Sequence, residues 1–158
     1  MAARDIIFIA VTLFGVGILG FVVVFAGNKM ADGMLNNTEI NQSAPTREVF
    51  TIMKTNLNRV DSIFLGFFIG FILSLIITGW FVGGHAVFMF IYFIVVFIMV
   101  VVSTVLSYVW DQITTASVFG VTIASVPITN HVLSILPVYV AVIGLIGIFV
   151  MFAKPTAD

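Results

Sequence analysis

The segment Ile63–Trp80, IFLGFFIGFILSLIITGW, decides the fold class, because it runs for a full helix length without a single charged residue. An apolar run of about 20 residues crosses the hydrocarbon core of a bilayer as a helix. Of the 158 residues in the chain, 61% are hydrophobic and 8% are charged, whereas a soluble domain carries about 25% charged residues. A soluble fold could not bury this much apolar surface, so composition indicates an integral membrane protein.

Three further apolar runs lie on either side of this segment. Together the four runs predict transmembrane helices at about 6–26, 63–80, 86–110 and 131–152. Trp80, Tyr108 and Trp110 stand near span ends, where such residues are typical membrane-interface anchors. Pro137 should kink the fourth helix near its start. We therefore predict an all-α, multi-pass integral membrane protein that forms one domain, 1–158, with the lipid bilayer as a partner.

The connectors between the spans differ in character. Residues 27–45 are rich in Gly, Asn and Asp and predict an irregular polar connector. Residues 81–85, FVGGH, predict a tight helical hairpin around two glycines. Residues 111–130 are β-branched and nearly uncharged, and a short β-hairpin turning near residues 119–120 fits them. A re-entrant segment is the competing interpretation for 111–130, and it requires that protein cover the backbone.

An amphipathic pattern precedes the second span. Apolar residues recur at a spacing of three and four, which places them on one helix face. We predict that this stripe binds a partner unless the first loop or another helix covers it; its members are Phe50, Met53, Leu57 and Val60.

Neither Pro nor Gly occurs from Thr46 to Leu65, so we expect one helix to run from about residue 46 to 80. Its length would be about 52 Å, and it would protrude from a hydrocarbon core of roughly 30 Å. Ser43 or Thr46 should cap it, with Pro45 near its start. A helix lying flat on the membrane and bent at Asp61-Ser62 is the alternative. Flat-lying helices are usually enriched in Lys and Arg, and this one is not.

A stripe of small residues runs along the second span at every fourth position: Gly66, Gly70, Ser74 and Thr78. In lipid, small side chains at this spacing let two helix backbones approach closely. We predict that this stripe packs against another helix, either of the same chain or of another subunit. Ser103 and Ser107 of the third span are candidates for the same helix contact. Gly144 and Gly147 of the fourth span form a second position with small side chains, where another helix could approach closely.

The residues that are missing exclude several kinds of chemistry. The chain has no Cys, which removes disulfides and thiolate metal sites. His85 and His131, the two histidines, stand at span ends and predict interfacial residues rather than metal ligands, with Asp111 the one carboxylate nearby. No charged residue falls inside an apolar run, although ion pathways usually need one. A net charge of −1 gives no basic surface for nucleic acid.

These observations favour a non-enzymatic protein without cofactors. Our main hypothesis is a structural, scaffold or assembly subunit of a larger membrane-embedded complex, cellular or in a lipid-containing virion, with other membrane subunits or further copies of itself as partners. The alternative is a homo-oligomeric pore or holin-like permeabilising protein, since a pore can gate without charge. The first loop carries four Lys and Arg residues, which favours placing it on the cytoplasmic side.

Overall fold

The structure is a computed structural model that describes residues 2–82 and 86–153, and within these ranges it is built from helices without a strand. The helices are α1 (Ala2–Leu35), α2 (Thr38–Gln42), α3 (Ala44–Leu57), α4 (Val60–Val82), α5 (Ala86–Thr114), a 3₁₀ turn (Ser117–Phe119), α6 (Gly120–Ser125), α7 (Pro127–Ser134) and α8 (Leu136–Ala153). Four segments are long and apolar enough to cross a membrane. The predicted all-α membrane fold is confirmed. The expected hairpin at 81–85 falls largely outside the described residues.

The four long helices form a bundle in which α1 and α8 each pack against both α4 and α5. The main core lies where these helices meet the short helix α7, and its largest members are Phe21, Phe64, Phe68, Trp110, Leu133 and Leu136. A second core joins α5 to α8 through Tyr92, Val96, Met99 and Met151. Most outward-facing side chains of α4 and α5 are apolar and exposed, as lipid-facing surfaces are.

Helices α5 and α8 approach each other closely because glycine occupies the contact. A Cβ atom at Gly144 would collide with the Val96 side chain, and one at Gly147 would collide with the Tyr92 hydroxyl. The predicted position for close helix approach on the fourth span is therefore used inside the chain. Further along α5, Ser107 is buried and donates to the backbone oxygen of Ser134, which lies at the end of α7.

The connector 27–45 is helical rather than irregular, and this part of the prediction is wrong. Helix α1 continues to Leu35, and α2 follows after a short turn in which the Asn37 side chain accepts a hydrogen bond from the Glu39 N–H at 3.0 Å. Tertiary contact with α3 stabilises the extra turns. At Gly27 a Cβ atom would lie 2.6 Å from Leu57 Cδ1, so only glycine lets α3 pack this closely.

The expected helix from 46 to 80 is present with one short interruption. Helix α3 begins after Ser43, which is at the N-cap position, with Pro45 in its first turn. Residues 58–59 separate α3 from α4, but the Asn58 N–H still bonds the Lys54 oxygen and the Ile63 N–H bonds the Arg59 oxygen. Residues 44–74 run on as one segment without a sharp bend. A bend at Asp61-Ser62 is therefore not observed.

The β-hairpin expected at 111–130 is wrong, because these residues form the end of α5, the 3₁₀ turn, α6 and the start of α7. Pro127 begins α7 and forces a break after α6. The helical direction bends by 111° between Ser117–Ser125 and Pro127–Ser134. Phe119 packs edge-on against Phe21 and Phe25 of α1, with ring centroids 5.3 and 4.9 Å apart. This packing overrides the preference of β-branched residues for strands. A bent helical pair is the shape of a broken span or a re-entrant segment.

The fourth span is interrupted near Pro137, as predicted. Helix α7 ends at Ser134 and α8 begins at Leu136, which places Pro137 in the first turn of α8. Proline fits there because its missing N–H has no partner to lose.

Candidate interaction surface

The predicted partner-binding stripe of α3 faces α1. Leu57 lies against Gly27, and a Cβ atom at Gly20 would be 3.1 Å from Val60 Cγ1. Phe50 and Met53, like these two residues, are half-buried. Helix α1 therefore covers the stripe at Leu57 and Val60. The sequence predicts that the first loop, another helix or a partner covers this stripe, and here another helix does so. Binding of a further partner by these four residues stays a prediction.

An exposed ion pair also joins α3 to α1. The Lys54 Nζ lies 2.7 Å from Asp32 Oδ1, and the two side chains are 41% and 51% exposed. Such surface pairs contribute roughly 0–1 kcal/mol. The apolar contact at Gly27 is therefore the stronger link between the two helices.

The small-residue stripe of α4 points away from the bundle. Gly66, Gly70 and Ser74 are exposed, and a Cβ atom at either glycine would meet nothing within 4 Å. The side chain of Thr78 is outside the described part of the chain. Gly66, Gly70 and Ser74 line a groove of about 510 Å³ together with Ile63, Phe67 and Phe71. Within the described part of the chain, neither glycine is used for packing. Ser107 does not join this stripe in a helix contact, because it bonds the backbone of Ser134 instead.

A second groove, of about 440 Å³, lies on α3. Its lining includes Val49 and Ile52, which are 62% and 52% exposed. Asn56 lines the same groove and is exposed as well. Met53 and Leu57 of the predicted stripe line the same groove. Val49, Ile52 and Asn56 were not among the residues predicted to bind a partner.

A buried carboxylate joins α4 to α7. Asp61 is only 4% exposed, and its two oxygens accept hydrogen bonds from the Ile128 N–H at 2.9 Å, the Thr129 N–H at 2.7 Å and the Thr129 hydroxyl at 2.7 Å. These N–H groups belong to the first turn of α7, where they have no partner within the helix. Asp61 therefore caps α7 from another helix and holds the α6–α7 segment against the bundle.

Trp110 belongs to the core, and its prediction as an interface anchor is wrong. Its side chain is 0% exposed, and its indole N–H donates to Asn130 Oδ1 at 3.0 Å. Its ring packs edge-on against Phe21 at 5.2 Å. Trp80 and Tyr108 are 48% and 63% exposed, as interface anchors require.

The histidines do not gather with other ligands in the described chain. His85 lies outside the described residues, and His131 is exposed with its ring 6.3 Å from that of Tyr139. In residues 2–82 and 86–153, no group of three or more His, Cys, Asp or Glu side chains is arranged to hold a metal ion.

No family model, curated protein or solved structure matches the chain.

Proposed function

We propose that the protein is a non-enzymatic membrane protein that serves as a structural, scaffold or assembly subunit of a larger membrane-embedded complex. The observation that carries this proposal is the outward direction of Gly66 and Gly70, which line a groove on α4. Helices in lipid associate through close backbone approach rather than through a hydrophobic driving force. A glycine groove that faces outward therefore suits another helix better than it suits lipid chains alone.

The outer face of α5 differs from the groove on α4, and this difference supports the assignment of the groove to a partner helix. The outer face of α5 carries bulky residues, with Phe90, Phe93 and Phe97 at 67%, 55% and 66% exposure. The side chains of such a face protrude and are suited to contact with lipid acyl chains. Where glycines lie at contacts inside the chain, as at Gly144 and Gly147, a neighbouring side chain fills the space above them. The groove on α4 offers the same kind of contact to a helix from outside the chain.

The non-enzymatic part of the proposal follows from the residues that the spans lack. The apolar runs hold no Asp, Glu, Lys or Arg, and catalysis needs titratable groups held together in a site. Asp61, at the start of α4, binds three donors of α7 and acts as a helix cap.

Native mass spectrometry of the protein, extracted from its own membrane in mild detergent, tests the proposal. We expect an assembly with a second subunit or further copies, and we expect Gly70→Leu to reduce its abundance. Gly15→Leu is the matched control, because a Cβ atom at Gly15 also meets nothing within 4 Å. A strictly monomeric wild-type protein with no co-purifying partner would refute the proposal, and so would normal assembly of Gly70→Leu.

Leakage of a small dye from liposomes containing the purified protein distinguishes the pore alternative. A scaffold or assembly subunit leaves the dye inside. Release of the dye that depends on protein concentration would favour the homo-oligomeric pore instead.

A further inference from the structure

Helices α3 and α4 share one exposed face that repeats every seven residues. In a heptad lettered a to g, its a positions are Val49, Asn56, Ile63, Gly70 and Ile77, and its d positions are Ile52, Arg59, Gly66, Leu73 and Trp80. All ten residues are exposed. Six of the ten are large and apolar, two are glycine, and Asn56 and Arg59 are polar. Apolar residues that repeat at a and d are the pattern of two helices that wind around each other in a left-handed pair. We name these ten positions the heptad face.

The heptad face is separate from the surface that holds α3 and α4 in the bundle. Leu57, Val60 and Phe64 each follow a residue of the heptad face directly, which places them about 100° further around the helix. They meet α1 at Gly27, Gly20 and Gly17. Both grooves described above open on the heptad face. Its positions 49, 52 and 56 line the groove on α3, and its positions 63, 66 and 70 line the groove on α4.

Lipid can cover only part of this face. From Ala44 to Val82 the two helices extend for about 58 Å, which exceeds the hydrocarbon core of roughly 30 Å. Val49 and Ile52 belong to the part beyond α4, and they are 62% and 52% exposed. A partner that covers the whole face needs one long helix that spans the lipid and continues into water, and it must leave the membrane at the same depth as α3–α4 does. The α3–α4 unit of a second copy has these dimensions, and copies of a membrane protein insert in the same orientation.

We infer that the heptad face binds the same face of a second copy, which gives a parallel dimer about an axis normal to the membrane. This inference rests on the proposed function and names its first partner. Asn56 is the one polar residue at an a position, and across a two-fold axis it meets Asn56 of the other copy. An amide both donates and accepts, so this pair satisfies itself. A single Asn at an a position is a known determinant of register in parallel helix pairs.

The remaining positions fit this arrangement. Gly66 and Gly70 meet their own counterparts and allow close approach in the membrane. Arg59 lies at the interruption between α3 and α4, where its long side chain can turn outward to water and lipid headgroups. The seven-residue repeat selects a shallow crossing of about +20°, whereas glycines four apart alone favour a steep crossing near −40°. A shallow crossing keeps the two helices in contact from Val49 to Ile77.

Single cysteines test the dimer without background, because the chain has no Cys. Full-length variants Val49→Cys, Asn56→Cys, Ile63→Cys and Gly70→Cys are oxidised in membranes, and covalent dimers are measured on gels. We expect strong dimers at all four positions. Val101→Cys on the outer face of α5, where Val101 is 55% exposed, is the control and should give only collisional background.

Three results would overturn the heptad dimer: background dimers at all four positions, dimers at Gly70 alone as in a steep crossing, or equal dimers at Val101. If the cysteines stay monomeric while native mass spectrometry finds a different subunit bound, the second-copy inference fails and the proposed function stands. If the wild-type protein is strictly monomeric without any partner, both fail.

Asn56 itself provides an independent test. Asn56→Asp places two carboxylates opposite each other. We expect the dimer association constant, measured by native mass spectrometry over a range of protein concentrations, to fall roughly tenfold, which corresponds to about 1.4 kcal/mol. Asn56→Val should keep the dimer. Asn58→Asp is the matched control, because Asn58 is exposed beside the heptad face rather than on it. An equal loss in Asn56→Asp and Asn58→Asp would contradict the pairing of Asn56 across the axis.

Discussion

The Asp61 carboxylate accepts hydrogen bonds from both the backbone N–H and the hydroxyl of Thr129, a residue 68 positions further along the chain. A carboxylate at this position replaces the N-cap side chain that α7 lacks, since Val126 cannot accept a hydrogen bond through its side chain. The negative charge also faces the positive end of the α7 dipole. One residue thereby joins the start of α4 to the α6–α7 segment.

Replacing Asp61 should destabilise the fold. Asp61→Asn removes the charge and directs an amide NH₂ toward donors, so we expect a loss of about 1–3 kcal/mol in the free energy of unfolding. Asp61→Ala should cost at least as much, because the N–H groups of Ile128 and Thr129 are then buried without a partner. Denaturant unfolding in detergent measures both variants.

Asp111→Asn is the control for this prediction, since Asp111 is exposed. It should change the free energy of unfolding by less than about 0.5 kcal/mol. If Asp61→Asn behaves like this control, the carboxylate does not hold α7 in place.

The sequence predicted the parts of the fold that follow from the length of apolar runs and from the absence of helix-breaking residues. Apolar length alone located the four spans, and the absence of Pro and Gly between Thr46 and Leu65 indicated that the second span extends beyond lipid. Both properties depend only on residues that are neighbours in the sequence, so one sequence is enough to recognise them. The outward direction of Gly66 and Gly70 was left open, because a stripe of small residues looks the same whether it faces its own chain or another.

The errors arose where distant contacts outweigh local preference. Residues 28–35 are helical because α3 packs on α1 through Leu57 and Gly27, and no local pattern indicates that contact. Residues 117–125 are helical because Phe119 enters the aromatic group of Phe21 and Phe25. The role of Asp61 was missed for the same reason, since its partners are remote in the sequence and a lone Asp near a span end normally faces water.

For the stability of the single chain, glycine should be required on the inner helix faces, whereas the glycines on the outer face of α4 should matter only for assembly. Gly144→Ala places a methyl group against Val96, and the resulting overpacking should cost about 1–3 kcal/mol. Gly66→Ala is the matched control, because its Cβ meets nothing within 4 Å. In the monomer, this control should be neutral or stabilising by up to about 1 kcal/mol through helix propensity. Thermal unfolding in detergent measures both, and equal midpoints would contradict the close contact of α5 and α8.

Trp110 should contribute to stability through its ring and through its N–H. Trp110→Phe keeps an aromatic side chain beside Phe21 but leaves Asn130 without its donor, so we expect a loss of about 1–3 kcal/mol. Trp80→Phe is the control, since Trp80 is 48% exposed and should tolerate the change within about 0.5 kcal/mol. Chemical unfolding followed by far-UV circular dichroism compares the two without relying on tryptophan fluorescence. An equal response would place Trp110 outside the core.

The attachment of α3 to α1 should depend on apolar packing rather than on charge. Lys54→Gln removes the ion pair with Asp32, and because both side chains are substantially exposed we expect a change below about 1 kcal/mol. Gly27→Val forces a branched side chain into the space that Leu57 fills and should release α3. Limited trypsin digestion in detergent detects this release as faster cleavage after Arg47, a site that all three proteins retain. Wild type and Lys54→Gln should be cleaved slowly at Arg47 and Gly27→Val quickly; the opposite order would show that the ion pair holds the two helices together.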